Sequence, residues 1–249
     1  MSNFNAYSRY YDALYKDKDY NQEAEYVIQL IRSIHPNAQK LIELGCGTGK
    51  HAAIFCKNGY SVTGLERSEE MVAIAKERNI KGFSPIVADI ANYELGKKFD
   101  VALSLFHVVS YLTSNEALLS CFKHTNAHLQ EGGLFLFDVW YTPAVYYQQP
   151  ETRIKRLFDE LVNITRIAEP VIHYNSNVVD VNYEVIVQDK QTGAIEVFTE
   201  AHPMRHFGRP EIDLLATQTG FKLIKAEEFG TGKHPGKDTW GVCFILQKK

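Results

Sequence analysis

The chain has 249 residues, 45% hydrophobic and 23% charged, with a formal net charge of −3. That suits one globular domain carrying an insertion and lacks the basic excess that duplex nucleic acid demands. Its four cysteines, Cys46, Cys56, Cys121 and Cys243, form no CxxC pair, which argues against zinc and for reduced thiols in a cytoplasmic setting. The polar segment Met1–Tyr20, with five tyrosines, lacks the apolar core of a signal peptide, and no later stretch is apolar enough to span a membrane.

Taken in order, residues 21–34 read as a helix, with Ala24, Val27, Ile28, Ile31 and Ile34 at helical spacing and Pro36-Asn37 as its stop. A short strand, Lys40–Leu44, runs into the glycine turn Gly45–Gly49 and a helix over Lys50–Lys57 closed by Asn58-Gly59. Strand Ser61–Leu65 precedes helix Glu69–Arg78, for which Ser68 is the N-cap. Ser84–Ala88 and Phe99–Ser104 read as strands, Ser114–Leu129 as a helix stopped by Glu131-Gly132-Gly133, and Leu134–Asp138 as a strand. Strands alternating with helices imply βαβ units and a mostly parallel sheet. From Val178 to Arg205 the pattern changes to two long alternating strands around Asp189–Gly193, a β-hairpin signature. A helix over Pro210–Thr219 and strands Lys222–Glu228 and Val242–Gln247 follow. The division expected is therefore an arm and core over 1–139, an antiparallel β insertion over 140–209, and completing elements over 210–249.

The strongest motif is Glu43-Leu44-Gly45-Cys46-Gly47-Thr48-Gly49, an apolar strand ending in GxGxG and opening a helix. Glycines there permit a tight turn and close approach of a ligand to the backbone. The third glycine of the dinucleotide fingerprint is absent, Lys50 following instead, and so is a GK[ST] phosphate cradle. Glu43 precedes the turn, where it can face a cationic amine. Glu66 ends the second strand, where a carboxylate takes ribose hydroxyls, and Asp89-Ile90 follows the third, within reach of an adenine amino group. Each carboxylate alone is equally well a helix or loop cap; three after consecutive strands point to a nucleoside site at the carboxyl ends of a parallel sheet.

On these residues, segment 40–138 resembles the class I S-adenosylmethionine-dependent methyltransferases. The likeness rests on Glu43-x-Gly45-x-Gly47-x-Gly49, on Glu66, on Asp89-Ile90, on Phe99-Asp100-Val101-Ala102 with Leu105-Phe106, and on Leu129-x-x-Gly132-Gly133. It implies a Rossmann-like, mostly parallel seven-stranded sheet with helices on both faces. It also implies S-adenosyl-L-methionine as donor, S-adenosyl-L-homocysteine as product, and no metal. The donor would be held by Tyr15, Tyr20, Glu43, Gly45, Gly47, Gly49, Glu66, Arg67, Asp89, Ile90 and Leu105.

The arm and insertion are similar to the small-molecule N-methyltransferases of nucleotide-linked amino-deoxysugars. The residues carrying this are Tyr7-x-x-Tyr10-Tyr11-Asp12-x-x-Tyr15, Lys18-Asp19-Tyr20, Val109-Ser110-Tyr111-Leu112, Asn182–Asp189, Phe198-Thr199-Glu200-Ala201-His202 and Gly241-Val242. The resemblance implies Tyr111 and His107 as catalytic candidates, beside packing or capping as their plainer roles. Tyr11, Asp138, Trp140, His202 and Arg205 are the candidate acceptor residues; the last two, with His206 and Arg209, would meet phosphates or else form a solvated edge. The expected partner is a small-molecule acceptor, with no nucleic acid and no membrane, and a homodimer is compatible with the chain. Competing readings are an O- or C-methyltransferase, a non-catalytic nucleoside-binding module, and a dehydrogenase, which the missing fingerprint glycine disfavours.

Overall fold

The computed structural model describes residues 14–15, 18–158 and 161–249. Helix α1 (Tyr20–Ile34) precedes β1 (Lys40–Leu44), α2 (Lys50–Lys57), β2 (Ser61–Glu66), α3 (Glu69–Glu77), β3 (Phe83–Val87) and β4 (Phe99–Ser104). A 3₁₀ turn (Val108–Tyr111) leads to α4 (Asn115–His128), β5 (Leu129–Trp140) and α5 (Thr142–Gln148). Then come β6 (Arg153–Phe158), β7 (Val162–His173), β8 (Val178–Asp189), β9 (Ile195–Arg205), α6 (Arg209–Gln218), β10 (Phe221–Glu228) and β11 (Gly241–Lys248).

Seven strands form one sheet in the order β10-β11-β5-β4-β1-β2-β3. β11 alone runs against its neighbours, pairing antiparallel with both β10 and β5. The fold is the Rossmann-like α/β class expected. The central strands are mostly apolar because helices cover both faces. Ile42, Ala102, Phe135 and Phe137 point one way, into a core with Phe122 of α4 and Leu215 of α6. Leu41, Val101, Leu134 and Leu136 point the other, against Val27 and Ile31 of α1 and Phe55 of α2. Phe122 meets Phe135 and Phe137 edge-on, at centroid distances of 5.2 and 5.4 Å.

The other four strands make a separate antiparallel sheet, β6-β7-β8-β9. The alternation of β8 is plain: Val179, Val181, Val185 and Val187 are buried on one face. Val179 and Val181 pack with Met204 and Val145 against Trp140 and Trp240; Val185 and Val187 pack with Ile164 and Leu14. Thus one face of this sheet is laid against the carboxyl end of β5 and the segment that precedes α1.

Two expectations need correction. Glu131-Gly132-Gly133 lies inside β5 and does not stop a helix: α4 ends at His128, and Leu129 already pairs with Phe99. Val101 next pairs with Leu134, so the glycines, Gly132 at φ +73°, form a bulge within the strand. The insertion also holds more than a hairpin. β6, β7 and α5 escape the sequence reading because the inward positions of β7 are Ile164, Arg166 and Ala168, which do not alternate as a core strand does.

Candidate active site

The carboxyl ends of β1, β2, β4 and β5 and the inner face of the antiparallel sheet enclose a cavity of about 530 Å³. It runs from Glu66, Asp89 and the glycine turn at one end to Trp140, Arg166, Tyr183 and His202 at the other.

At the first end the turn leaves β1 with Gly45, Gly47 and Gly49 all at positive φ (+73°, +52° and +79°). A Cβ on Gly47 would meet nothing within 4 Å, so this backbone lies open to the cavity. A Cβ on Gly45 would stand 2.6 Å from Cγ1 of Val108, and one on Gly49 2.6 Å from Cε1 of Phe83. Gly47 lies bare to an occupant, whereas its two neighbours are glycine because side chains crowd them. Glu66 accepts the backbone N–H of Gly47 at 3.1 Å and of Ser68 at 2.9 Å. The carboxylate is thereby aimed, and two oxygens retain capacity for a pair of hydroxyls. Asp89 caps its own loop, accepting Ala91 N–H at 2.8 Å. Arg67, Ile90 and Leu105 also line this end.

Glu43 lies beneath the turn, 1% exposed. Its Oε1 is 3.8 Å from Nδ1 of His51, and its Oε2 has no hydrogen-bond partner among the described residues. Burial, reinforced by the charge of Glu66, pushes this carboxyl up to about 8. His51 in turn bonds Glu23 at 2.9 Å, and Tyr20 lies edge-on to its ring at 5.0 Å. Lys50 stands over the Tyr20 ring and Lys18 over Phe106. Glu43 does not line the cavity itself; it lies behind the glycine turn with the His51 imidazole as its neighbour, where a buried carboxyl favours a cation close by.

The loop after β4 carries unusual backbone. Phe106 and His107 both adopt left-handed conformations, φ +65° and +61°, a cost of roughly 1–3 kcal/mol each for residues other than glycine. Asp138, buried at the end of β5, is what holds His107 there. Its Oδ2 accepts the His107 backbone N–H at 3.2 Å and lies 2.8 Å from Nδ1 of the ring. Burial alone would raise Asp138; the imidazole and its N–H outweigh that and keep the carboxyl below its usual range. Asp138 is therefore behind His107 and not on the cavity wall, while Trp140 is on the wall, edge-on to His107 at 6.3 Å.

Tyr111 ends the 3₁₀ turn and reaches the antiparallel sheet, its hydroxyl 2.9 Å from Nδ1 of His202. Nε2 of His202 is 3.1 Å from Glu200. Burial, with Tyr15 and Tyr183 near by, raises the Tyr111 phenol well above its ordinary value, so it keeps its proton. Arg205 lies elsewhere: it bonds Glu211 at 2.6 Å and Asn115 at 2.9 Å, joining β9 to α6 and α4. Tyr11 is outside the described residues. Sequence reading missed Arg153 and Arg166, both on the cavity wall. Arg166 stacks over Tyr183 at 4.8 Å and bonds the Tyr15 hydroxyl at 3.4 Å. A cation at an inward strand position was the available signal, but it required knowing β7. Among the described residues no group of three or more His, Cys, Asp or Glu is arranged to hold a metal, and no helix is long and apolar enough to cross a membrane.

Residues 41–133 match the family described as methyltransferase domain. Over 227 residues the chain is 27% identical to the dTDP-3-amino-3,4,6-trideoxy-alpha-D-glucopyranose N,N-dimethyltransferase of Streptomyces venezuelae, covering 90% of this chain and 93% of that one. It is 29% identical over 214 residues to the dTDP-4-amino-2,3,4,6-tetradeoxy-D-glucose N,N-dimethyltransferase of Saccharopolyspora spinosa, with 85% and 84% covered. The structure superposes on the S-adenosylmethionine-bound amino pentose methyltransferase of Micromonospora echinaspora with a TM-score of 0.79 and 24% identity, covering 99% and 98%. The bare Gly47 and the aimed Glu66 fall in the matched region: residues 41–133 match the methyltransferase domain family, and the chain shares its fold with an S-adenosylmethionine-bound amino pentose methyltransferase.

Proposed function

We propose that this chain methylates the amino group of a nucleotide-linked amino sugar, with S-adenosylmethionine as donor. The observation that carries the reading is the continuity of the cavity, in which a nucleoside-type end opens directly onto an imidazole, a phenol and an arginine. When bound, S-adenosylmethionine supplies a sulfonium-activated methyl group for direct displacement. Glu66 would hold the ribose hydroxyls, Asp89 and Ile90 the adenine, and the Gly45–Gly49 turn with Glu43 and Tyr20 the cationic methionyl part. The open Gly47 backbone and the buried Glu43 carboxyl behind it fit such a group.

The rest of the chemistry is positioning and one proton. A substrate ammonium must lose a proton before its nitrogen can attack. With Nδ1 of His107 against Asp138, Nε2 is the nitrogen left to take that proton, and the carboxylate compensates the imidazolium formed. Trp140 and Tyr183 offer flat walls for a sugar ring, and Arg166 with Arg153 offers charge for a diphosphate. On this reading residues 140–209 are the acceptor lobe and Tyr15 and Tyr20 close the cavity from the arm, the arm over residues 1–20 otherwise lying largely outside the described residues.

The test is donor turnover, read as S-adenosylhomocysteine release, against dTDP-linked amino sugars, free amino acids and hydroxylated analogues. Release that depends on an amino sugar is expected. Release with hydroxylated or carbon nucleophiles alone would overturn the acceptor assignment.

A further inference from the structure

The inner face of the antiparallel sheet holds a polar chain that crosses to the other lobe. Side chains two apart on a strand share a face, so Glu200 and His202 of β9 point inward together, Glu200 opposite Tyr183 and His202 opposite Val181 on β8. His202 is 2% exposed, and the Glu200 side chain 10%. The imidazole lies between two oxygens, the Glu200 carboxylate at 3.1 Å from Nε2 and the Tyr111 hydroxyl at 2.9 Å from Nδ1. Tyr183 packs on the same ring at 4.8 Å.

Hydrogen-bond polarity along this chain follows from its end. A carboxylate only accepts, so Nε2 must carry the proton that it shares with Glu200. In the neutral imidazole Nδ1 is then the acceptor, and the hydrogen it receives is that of the Tyr111 hydroxyl. A phenol whose proton is committed to Nδ1 meets a ligand through its oxygen, as an acceptor. The distinction matters for an amine. A hydroxyl that donated to the substrate nitrogen would occupy the lone pair that must attack the methyl carbon; an oxygen that accepts an N–H leaves that lone pair directed elsewhere.

We propose that Glu200 is a positioning residue that acts through His202 to fix the Tyr111 hydroxyl as a hydrogen-bond acceptor for an N–H of the substrate amine. The second half of this rests on the N-methylation reading above; the first does not. Glu200 does not line the cavity, and on this account its effect is on the orientation of the amine.

Two measurements on the full-length protein separate the halves. Nitrogen NMR of histidine-labelled protein, with His202→Asn to identify the resonances, reports the tautomer without any substrate. The neutral form protonated at Nε2 is expected, and Glu200→Gln, whose amide can donate as well as accept, should lose that preference. Turnover of the probe dTDP-3-amino-3,4,6-trideoxyglucose is the second measurement. Glu200→Gln should lower kcat by roughly ten- to a hundredfold, the scale of one charge-assisted hydrogen bond. The dissociation constant for S-adenosylhomocysteine and the melting temperature should hold, and Glu200→Asp should recover part of the rate. A His202 protonated at Nδ1 in the resting enzyme overturns the relay. So does Glu200→Gln with unchanged kcat and KM. A wild-type protein with the expected tautomer that methylates no amine supports the relay and counts against the acceptor assignment instead.

Discussion

In the glycine turn, one motif serves two physical ends. The Cβ positions of Gly45 and Gly49 are crowded by Val108 and Phe83, so Gly45→Ala or Gly49→Ala should lower stability by about 1–3 kcal/mol through overpacking, on top of the left-handed backbone cost that all three glycine positions share. Gly47→Val has room for its side chain and carries only the cost of a left-handed backbone, about 1–2 kcal/mol. It should fold yet lose donor affinity by about tenfold or more, since the side chain takes the place of the ligand. Calorimetry with S-adenosylhomocysteine, beside thermal melts of all three variants, checks the contrast. Glu43 makes a pH prediction. Raised to about 8, its carboxyl is protonated at neutral pH. A bound cation favours the ionised form, so binding expels a proton below that pH, and affinity should climb as pH rises from 6 towards 8. Proton release measured in buffers of different ionisation enthalpy should register this in the wild type and vanish in Glu43→Gln.

Among the elements, β9 is followed by a histidine, His206, with a role in stability. His206 is fully buried; Nδ1 lies 2.9 Å from the Thr142 hydroxyl at the start of α5, and Nε2 has no partner among the described residues. Burial, together with the positive charge of Arg205, depresses its pKa to about 4. Below its ordinary value of 6.5 the unfolded chain binds a proton that the folded chain refuses. The stability from a neutral His206 is therefore complete above pH 6.5 and is lost as pH falls towards 4. Between pH 7 and pH 5 this amounts to about 2 kcal/mol. Urea unfolding of His206→Asn, which keeps a polar atom near Nδ1 but does not titrate, should show a pH dependence flatter by about that amount. A second lesson at this scale is β7. Its inward row passes from Ile164, in a buried cluster, to Arg166, on the cavity wall, and that change hid the strand from a reading of hydrophobic periodicity.

For the whole molecule, the cavity exists because two sheets of different kind meet at the carboxyl end of β5. Arg166 belongs to the antiparallel sheet and lies on the wall that the donor motifs do not reach. Arg166→Ala should raise the acceptor KM about tenfold or more and leave donor affinity intact. Arg166→Lys should recover little, because an ammonium lacks the flat face that stacks on Tyr183. Steady-state kinetics with a dTDP-linked amino sugar, with S-adenosylhomocysteine binding as control, tests both; an equal loss of donor binding would place Arg166 in the wrong end of the cavity.

The order of strands and helices in the core, the GxGxG turn and the carboxylates after successive strands were legible in the chain alone. Each is a local pattern, and a parallel α/β sheet puts all of its strand ends on one side whatever the loops do. The alternation of β8 and β9 was legible for the same reason, since a strand half-buried on one face writes a period of two. Side-chain partnership across elements was not. Asp138 and His107 are 31 positions apart, and Tyr111 and His202 are 91 apart. Nothing local announces that the first pair strains a loop into place, or that the second turns a presumed phosphate ligand into the support of a phenol. Arg205 was read as an anion ligand and Arg166 was missed, yet Arg205 ties β9 to α6 and α4 while Arg166 faces the cavity. That choice was made by strand register and by the way one sheet is laid on the other. Both are set by packing over distances that the period of a single strand does not encode.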